Sequence, residues 1–468
     1  MALATGLETR TVKIVYPTGM LGAGFPAEAV ERGIRMGADA IAIDGGSTDS
    51  GPFYLGTGTA KPTAAAVERD LRIALVAARH ARIPLIVTSC GTSGVDQAVD
   101  RVVSMTRRIA GEERLAFTMA VIYSELSQDR VVGLLRSGRI EPLEPSGDLE
   151  EATVRSCSHI VGLMGHEPIR AALDAGADVV LTGRASDTSP VAALALRAGV
   201  AAGPAWHAAK TVECGGLCTD DPRSGPVMVE VDSAGFTVRS LNPDATCSPF
   251  SVAAHMMYEN ADPYRLREPS GILETASASY ISLEDGAVRV EGSRFEPAVQ
   301  PTIKLEGSAL VGYQAISIAG IRDPRVIASM DEWRRRFEQM LTGRVREVFG
   351  LDSTNYRIEL RCYGYDAILG SAEPEPTRCH EVAVILKVRA DEETLAREIA
   401  KLANPLMLHM PLARNTPLPS YAFMTSPAEL SAGPAYEFVL NHVVSVESEH
   451  ELFRTEWFSL AAEGTELP

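Results

Sequence analysis

The chain has 468 residues, 46% apolar and 22% charged, with a formal net charge of −17. That surplus of acid excludes a nucleic-acid binder, whose footprint is basic, and sets the chain against an anionic membrane surface as partner. Seven scattered cysteines, no apolar run of the about 18 residues a membrane span needs, and a first segment without the apolar centre of a secretory signal lead to the expectation of a cytoplasmic protein with reduced thiols.

"VKIVYPTG" (12–19) reads as a strand and a turn. In the segment after it, Pro26 suits a first helical turn, Ala27, Val30 and Ile34 share one face, and Gly37 suits the helix end. "AIAID" (40–44) is a buried strand by composition. A helix over 63–81, the strand "IPLIVTS" (83–89), a helix over 95–110, the strand "AFTMAVIY" (116–123) and a helix over 127–137 follow. "SHIVGLMG" (158–165), a helix over 167–175 and "DVVLTG" (178–183) continue the alternation. Strands alternating with helices predict a doubly wound, mainly parallel α/β sheet over 1–225.

From 226 the period changes. "VMVEVDSAGFTVRSL" and "ASYISLEDGAVRVEG" read as hairpins, so 226–350 is expected to be an antiparallel β-rich section ending in a helix over 328–349 and packed on the first domain. "YRIELRCYGY", "HEVAVILKVRA" and a helix over 391–404 make 351–468 a small α+β domain.

One phrase occurs twice. "GADAIAIDGGSTDSGP" (37–52) and "GADVVLTGRASDTSP" (176–190) each read as a helix end, a buried strand and a polar loop. Ligands of such sheets gather at the carboxyl ends of the strands, so the loops 44–52, 89–94 and 182–190 are expected to line one cleft. In the first, Asp44, Ser47, Thr48 and Asp49 supply carboxylates and hydroxyls. "SCGTSG" adds Ser89, Cys90 and Gly91; it lacks the G-x-S-x-G form and reads as an anion-binding loop rather than a nucleophile. The third adds Arg184, suited to grip a carboxylate, and Asp187, suited to orient it or act as a base. "GMLGAGF" places glycines at 19, 22 and 24, which breaks the dinucleotide spacing; Gly22 and Gly24 then present backbone N–H groups to another anion. "HAAKTVECGGLC" (207–218) supplies His207 and Glu213 as acid–base candidates, and "AAHMMYENADP" places His255 and Glu259 one helical turn apart. Cys214 and Cys218 lack a second pair, so no metal site and no zinc is expected, whereas Asp44, Asp49 and Asp187 suit Mg²⁺ as the one cofactor left open.

Several of these segments resemble the AtuA family, named for acyclic terpene utilisation: "YPTGMLGAGF", "VECGG", "SVAAHMMYENADPYRLREPSGILE" (251–274), "VGYQAISIAGIRDPRVI" (311–327), "RCYGYDAILGSAEPEP" (361–376) and "GPAYEFVLNHVV" (433–444). The resemblance extends over nearly the whole chain. It departs from the family's pattern at Gly216-Leu217-Cys218, where many members carry glutamine and threonine. It implies a catabolic role beside the breakdown of branched terpenoid acids as CoA esters, and a small partner protein.

The residues and the resemblance together give the expectation of a homo-oligomeric lyase or hydratase acting on a small or branched carboxylate, free or as its CoA thioester. Asp49, Asp187, Glu213, His207 and His255 form the acid–base pool. Gly22, Gly24, Asp44, Ser47, Thr48, Ser89, Cys90, Gly91 and Arg184 bind substrate. Two alternatives stand beside it: a substrate-binding subunit of a two-protein enzyme, and a metal-dependent hydrolase.

Overall fold

Five of the apolar segments pair in parallel, side by side in the order Val12–Tyr16, Ala40–Asp44, Leu85–Thr88, Val179–Thr182, Phe117–Tyr123. The computed structural model describes residues 11–257, 260–374, 379–413, 418–419 and 421–461. Every residue of the three central strands is buried, as strands covered on both faces require. Side-chain alternation divides them between two cores. Ile14, Ala42, Ile86, Val180 and Ile122 meet helices Glu167–Asp174, Ser189–Arg197 and Ala202–Val212. Val15, Ile41, Val87, Leu181 and Val121 meet Ala27–Arg35, Ala64–Ala81 and Asp96–Glu112 on the other face.

The sheet is mixed rather than mainly parallel. Val227–Val231 lies antiparallel to Val12–Tyr16, and Gly235–Ser240, Val288–Glu291 and Ser279–Ser282 extend the same sheet in that order. The hairpins read from the sequence form, but they continue the first sheet. Arg454–Leu460 closes the opposite edge, antiparallel to Phe117–Tyr123, which makes ten strands. The strand expected near 158–165 leaves this sheet. Cys157–Gly162 pairs antiparallel with the first part of Thr302–Ile321, because Cys157 and Ile160 bury against Leu126, Val131, Ile303, Leu305 and Leu440 in a separate apolar cluster.

The repeated phrase has a structural cause. Helices Ala27–Arg35 and Glu167–Asp174 both end on a left-handed glycine, Gly37 at φ 86° and Gly176 at φ 94°. Gly37 and Ala38 donate to Ile34 and Gly33; Gly176 and Ala177 donate to Leu173 and Ala172, the paired bonds of a Schellman ending. The aspartate that follows clasps the neighbouring strand. Asp39 donates its N–H to the Lys13 carbonyl at 2.7 Å and accepts the Lys13 N–H on Oδ2 at 2.9 Å. Asp178 repeats both bonds with Thr118, at 2.8 and 2.9 Å.

The described chain forms two compact units, Leu310–Glu437 and the remainder. In the smaller unit, strands Tyr356–Tyr363 and Val382–Ala390 pair antiparallel, and residues 313–321 add a third strand. Helices Met330–Phe349 and Glu393–His409 cover them, with Trp333, Phe337 and Leu341 against Val384, Leu386 and Ile399. Among the described residues no helix is long and apolar enough to cross a membrane.

Candidate active site

The three polar loops meet in the larger unit. Ser89 and Cys90 donate main-chain N–H groups to the carbonyls of Gly183 and Thr182, and Gly45 donates to Thr88. Their fit is close enough to need glycine: a Cβ on Gly94, at φ 69°, would stand 2.0 Å from the Arg184 nitrogen. Ser89 sits in the left-handed region at φ 44°, where its hydroxyl donates to the Ala185 carbonyl and accepts from Arg184.

Arg184 is the hub. Its guanidinium donates to Glu306 Oε2 at 3.0 Å, to the Ala185 carbonyl at 2.7 Å and to Asp187 Oδ1 at 3.1 Å; Ser89 and Ser47 lie at 3.4 and 3.5 Å. Glu306 also accepts from Thr48 and from Lys304 Nζ, at 2.9 and 2.8 Å. Burial works against charge on Glu306, yet Arg184 and Lys304 hold its carboxyl down at about 2. Arg184 is therefore committed to internal partners and organises the loops.

Around it lie carboxyl groups that burial pushes upward. Asp44 accepts from Thr88 Oγ1 at 2.9 Å and from the Gly46 N–H; burial first, and then the charge of Asp187, raise it well above the usual range. Burial likewise raises Asp187, which Arg184 opposes. Glu213 is pushed up to about 8 by burial, despite its ion pair with Lys210 at 2.6 Å. Glu268 accepts from Thr188 Oγ1 at 2.7 Å and is raised to about 7 by burial. Burial alone would lower Lys210, but Glu213, Glu268 and Asp187 keep it protonated. His255, on the same side of the cluster, is lowered to about 4 by burial and by Lys210, and its ring bonds to the Lys210 main chain.

Tyr16 completes the group. It ends the first strand, is fully buried, and its hydroxyl has no hydrogen-bond partner among the described residues. Burial, and then the charges of Asp44, Asp187, Cys214 and Glu213, hold its proton on.

Other candidates fall elsewhere. Asp49 sits exposed at the rim, its N–H capped by Ser47. His207 faces the core: its ring nitrogens meet Ser293 Oγ at 2.6 Å and Tyr280 O–H at 3.3 Å, its ring lies edge-on to Phe236, and burial lowers it to about 3. The N–H groups of Gly22 and Gly24 do meet an anion, but an internal one, Asp70 Oδ2, each at 2.9 Å. Cys90 is buried with its thiol on the Val87 carbonyl and pushed up to about 12 by burial, and Gly91 packs against Ala98. Glu259 lies outside the described residues.

Asp44, Asp49 and Asp187 do not bring three oxygens together for a cation. Among the described residues, the group whose donor atoms converge is Glu213, Cys214 and His255, all within 4.8 Å of one another.

The family model described as acyclic terpene utilisation family protein AtuA matches residues 60–430. The chain belongs to the AtuA family. Membership connects it to acyclic terpene utilisation, a catabolic process. No curated protein and no solved structure matches it. Arg184, Asp187, Lys210, Glu213, Cys214, His255, Glu268 and Glu306 lie inside the matched stretch; Tyr16 and Asp44 precede it.

Four residues escaped sequence reading. Tyr16 and Glu268 carried a signal: one ends a strand just before the Pro-Thr-Gly turn, and the other stands within the "SVAAHMMYENADPYRLREPSGILE" motif. Lys304 and Glu306 carried none, because their strand is brought to Arg184 by pairing that no local pattern encodes.

Proposed function

We propose that the chain is a lyase of the hydratase type, adding or removing water next to the carbonyl of a small or branched acid or its CoA thioester by acid–base chemistry. The observation that carries the reading is the Tyr16 hydroxyl, without a hydrogen-bond partner among the described residues and buried among Asp44, Asp187 and Glu213 at the carboxyl ends of the strands. Abstracting a proton beside a carbonyl requires a base and a donor for the oxyanion that develops. Asp187 takes the part of base, held in aim by Arg184. Tyr16 supplies the O–H donor, Lys210 adds a fixed positive charge, and Glu268, raised to about 7 by burial, gives its proton to the departing hydroxyl so that water leaves, and takes one from water in the reverse direction.

Five carboxyl groups (Asp44, Asp187, Glu213, Glu268, Glu306) stand here with three cations (Arg184, Lys210, Lys304). That balance favours the neutral carbonyl of a thioester over a free carboxylate at the reacting centre. The purified chain, given a panel of branched enoyl-CoA and hydroxyacyl-CoA esters and the matching free acids, is expected to interconvert a thioester pair. Turnover of none of them sinks the reading.

A further inference from the structure

We propose that Glu213, Cys214 and His255 bind one divalent transition-metal ion, Zn²⁺ in preference to Mg²⁺, with a fourth position turned toward Tyr16. The donors are one carboxylate oxygen, one sulfur and one ring nitrogen, within 4.8 Å of one another. Bond lengths of about 2.0–2.3 Å place tetrahedral ligands about 3.3–3.8 Å apart, so rotamer adjustment closes the site. A mixed N, S, O set is what Zn²⁺ takes, whereas Mg²⁺ prefers oxygen alone. Three protein ligands and one open position mark catalytic zinc sites rather than structural ones.

The backbone is built to hold this arrangement. Glu213 and Cys214 follow directly on helix Ala202–Val212, and His255 is the last residue of helix Pro249–His255. Ser251 of that second helix donates to the Cys218 carbonyl at 2.9 Å, which ties it to the turn after Cys214. On the other side the turn after the first strand presses close: a Cβ on Gly19 would lie 2.8 Å from the Cys214 Cα. The groups behind the ligands are in place as well. Lys210 Nζ holds Glu213 Oε1, which suits a carboxylate that ligates through one oxygen. The His255 ring bonds to the Lys210 main chain, the kind of contact that orients a ligating imidazole.

A second observation points to a ligand in the same place. The Tyr16 hydroxyl is fully buried without a hydrogen-bond partner among the described residues, and the charges it feels include those of Cys214 and Glu213. A water or substrate oxygen on the fourth position of the ion would give that hydroxyl its partner. The ion would also offset the surplus of carboxyl groups.

Binding is measured without substrate, so its failure leaves the acid–base reading standing, and failure of that reading leaves the ion. The full-length chain, stripped with a strong chelator and titrated with Co²⁺, is expected to take up one ion per chain. Tetrahedral visible bands and a thiolate-to-cobalt charge-transfer band are expected with it, and Zn²⁺ displaces both. Cys214→Ser abolishes the charge-transfer band, and Glu213→Gln and His255→Gln lower Zn²⁺ affinity at least about 10–100-fold. Cys218→Ser and Cys247→Ser leave all of this unchanged. Because these variants can misfold, the wild-type chain supplies an independent readout: Zn²⁺ slows alkylation of Cys214 and Mg²⁺ does not. Absence of stoichiometric uptake, a charge-transfer band that survives Cys214→Ser, or alkylation of Cys214 indifferent to Zn²⁺ overturns the proposal.

Discussion

Residues 37–44 and 176–182 run through the sheet on either side of Leu85–Thr88, each leaving its helix on a left-handed glycine and clasping the next strand through an aspartate. At their carboxyl ends they part. The first copy turns at Asp44, a buried carboxyl bonded to Thr88 and Gly46. The second turns at Gly183-Arg184, and the guanidinium gathers Glu306, Asp187 and the Ala185 carbonyl. The shared half of the phrase is architecture, and the half that differs is chemistry. A parallel strand needs the same entry wherever it stands, whereas a site needs opposite charges from its two sides.

The largest effect expected is on the half that differs. Arg184→Met leaves buried Glu306 with Lys304 but without Arg184, and half-buried Asp187 without its ion pair; breaking a buried pair costs about 3–5 kcal/mol. Arg184→Lys keeps the charge but loses the fork, for about 1.5–3 kcal/mol. Urea unfolding midpoints measure both; a lysine variant as stable as wild type would show that the fork is not what gathers the loops.

Next come the shared clasps. Asp39→Ala and Asp178→Ala each leave a strand N–H without its acceptor, at about 1–3 kcal/mol. Asp178→Ala also takes the carboxylate from Arg79, 2.8 Å away. Variants with the unfolding midpoint of wild type would show that the clasps do not hold the strand entries.

A further effect is in acid. Glu306 is held near about 2, below its ordinary 4.5, by Arg184 and Lys304 against the opposing effect of burial. A carboxyl depressed by folding contributes stability above its unfolded pKa and loses it as pH falls through the folded value. Wild type is therefore expected to lose stability between about pH 4.5 and 2 more steeply than Glu306→Gln. Parallel acid limbs would remove Glu306 from the network.

What the sequence made legible follows from period and position. Alternating strands and helices located the five parallel strands, and the rule that ligands gather at their carboxyl ends pointed to the loops of Asp44, Ser47, Ser89, Arg184 and Asp187, which lie against one another in the fold. Partnership across the fold was not legible. Gly22 and Gly24 read as donors to a ligand because nothing local shows that Asp70 already occupies them. His207 and Lys210 share a helix, and only tertiary packing turns one into the core and the other toward Glu213. The return of Arg454–Leu460 to the edge of the first sheet is equally silent in a local pattern.

The central claim is that Asp187 moves a proton beside a carbonyl, with Tyr16 stabilising the oxygen. The most direct measurement is deuterium incorporation at the carbon next to the carbonyl of the branched thioesters, followed by mass spectrometry in heavy water. Wild type is expected to exchange that hydrogen on at least one thioester. Asp187→Asn is expected to slow the exchange by about 10²–10⁴-fold while its unfolding midpoint stays close to that of wild type. Undiminished exchange by Asp187→Asn, or no exchange by wild type on any thioester, would contradict the account.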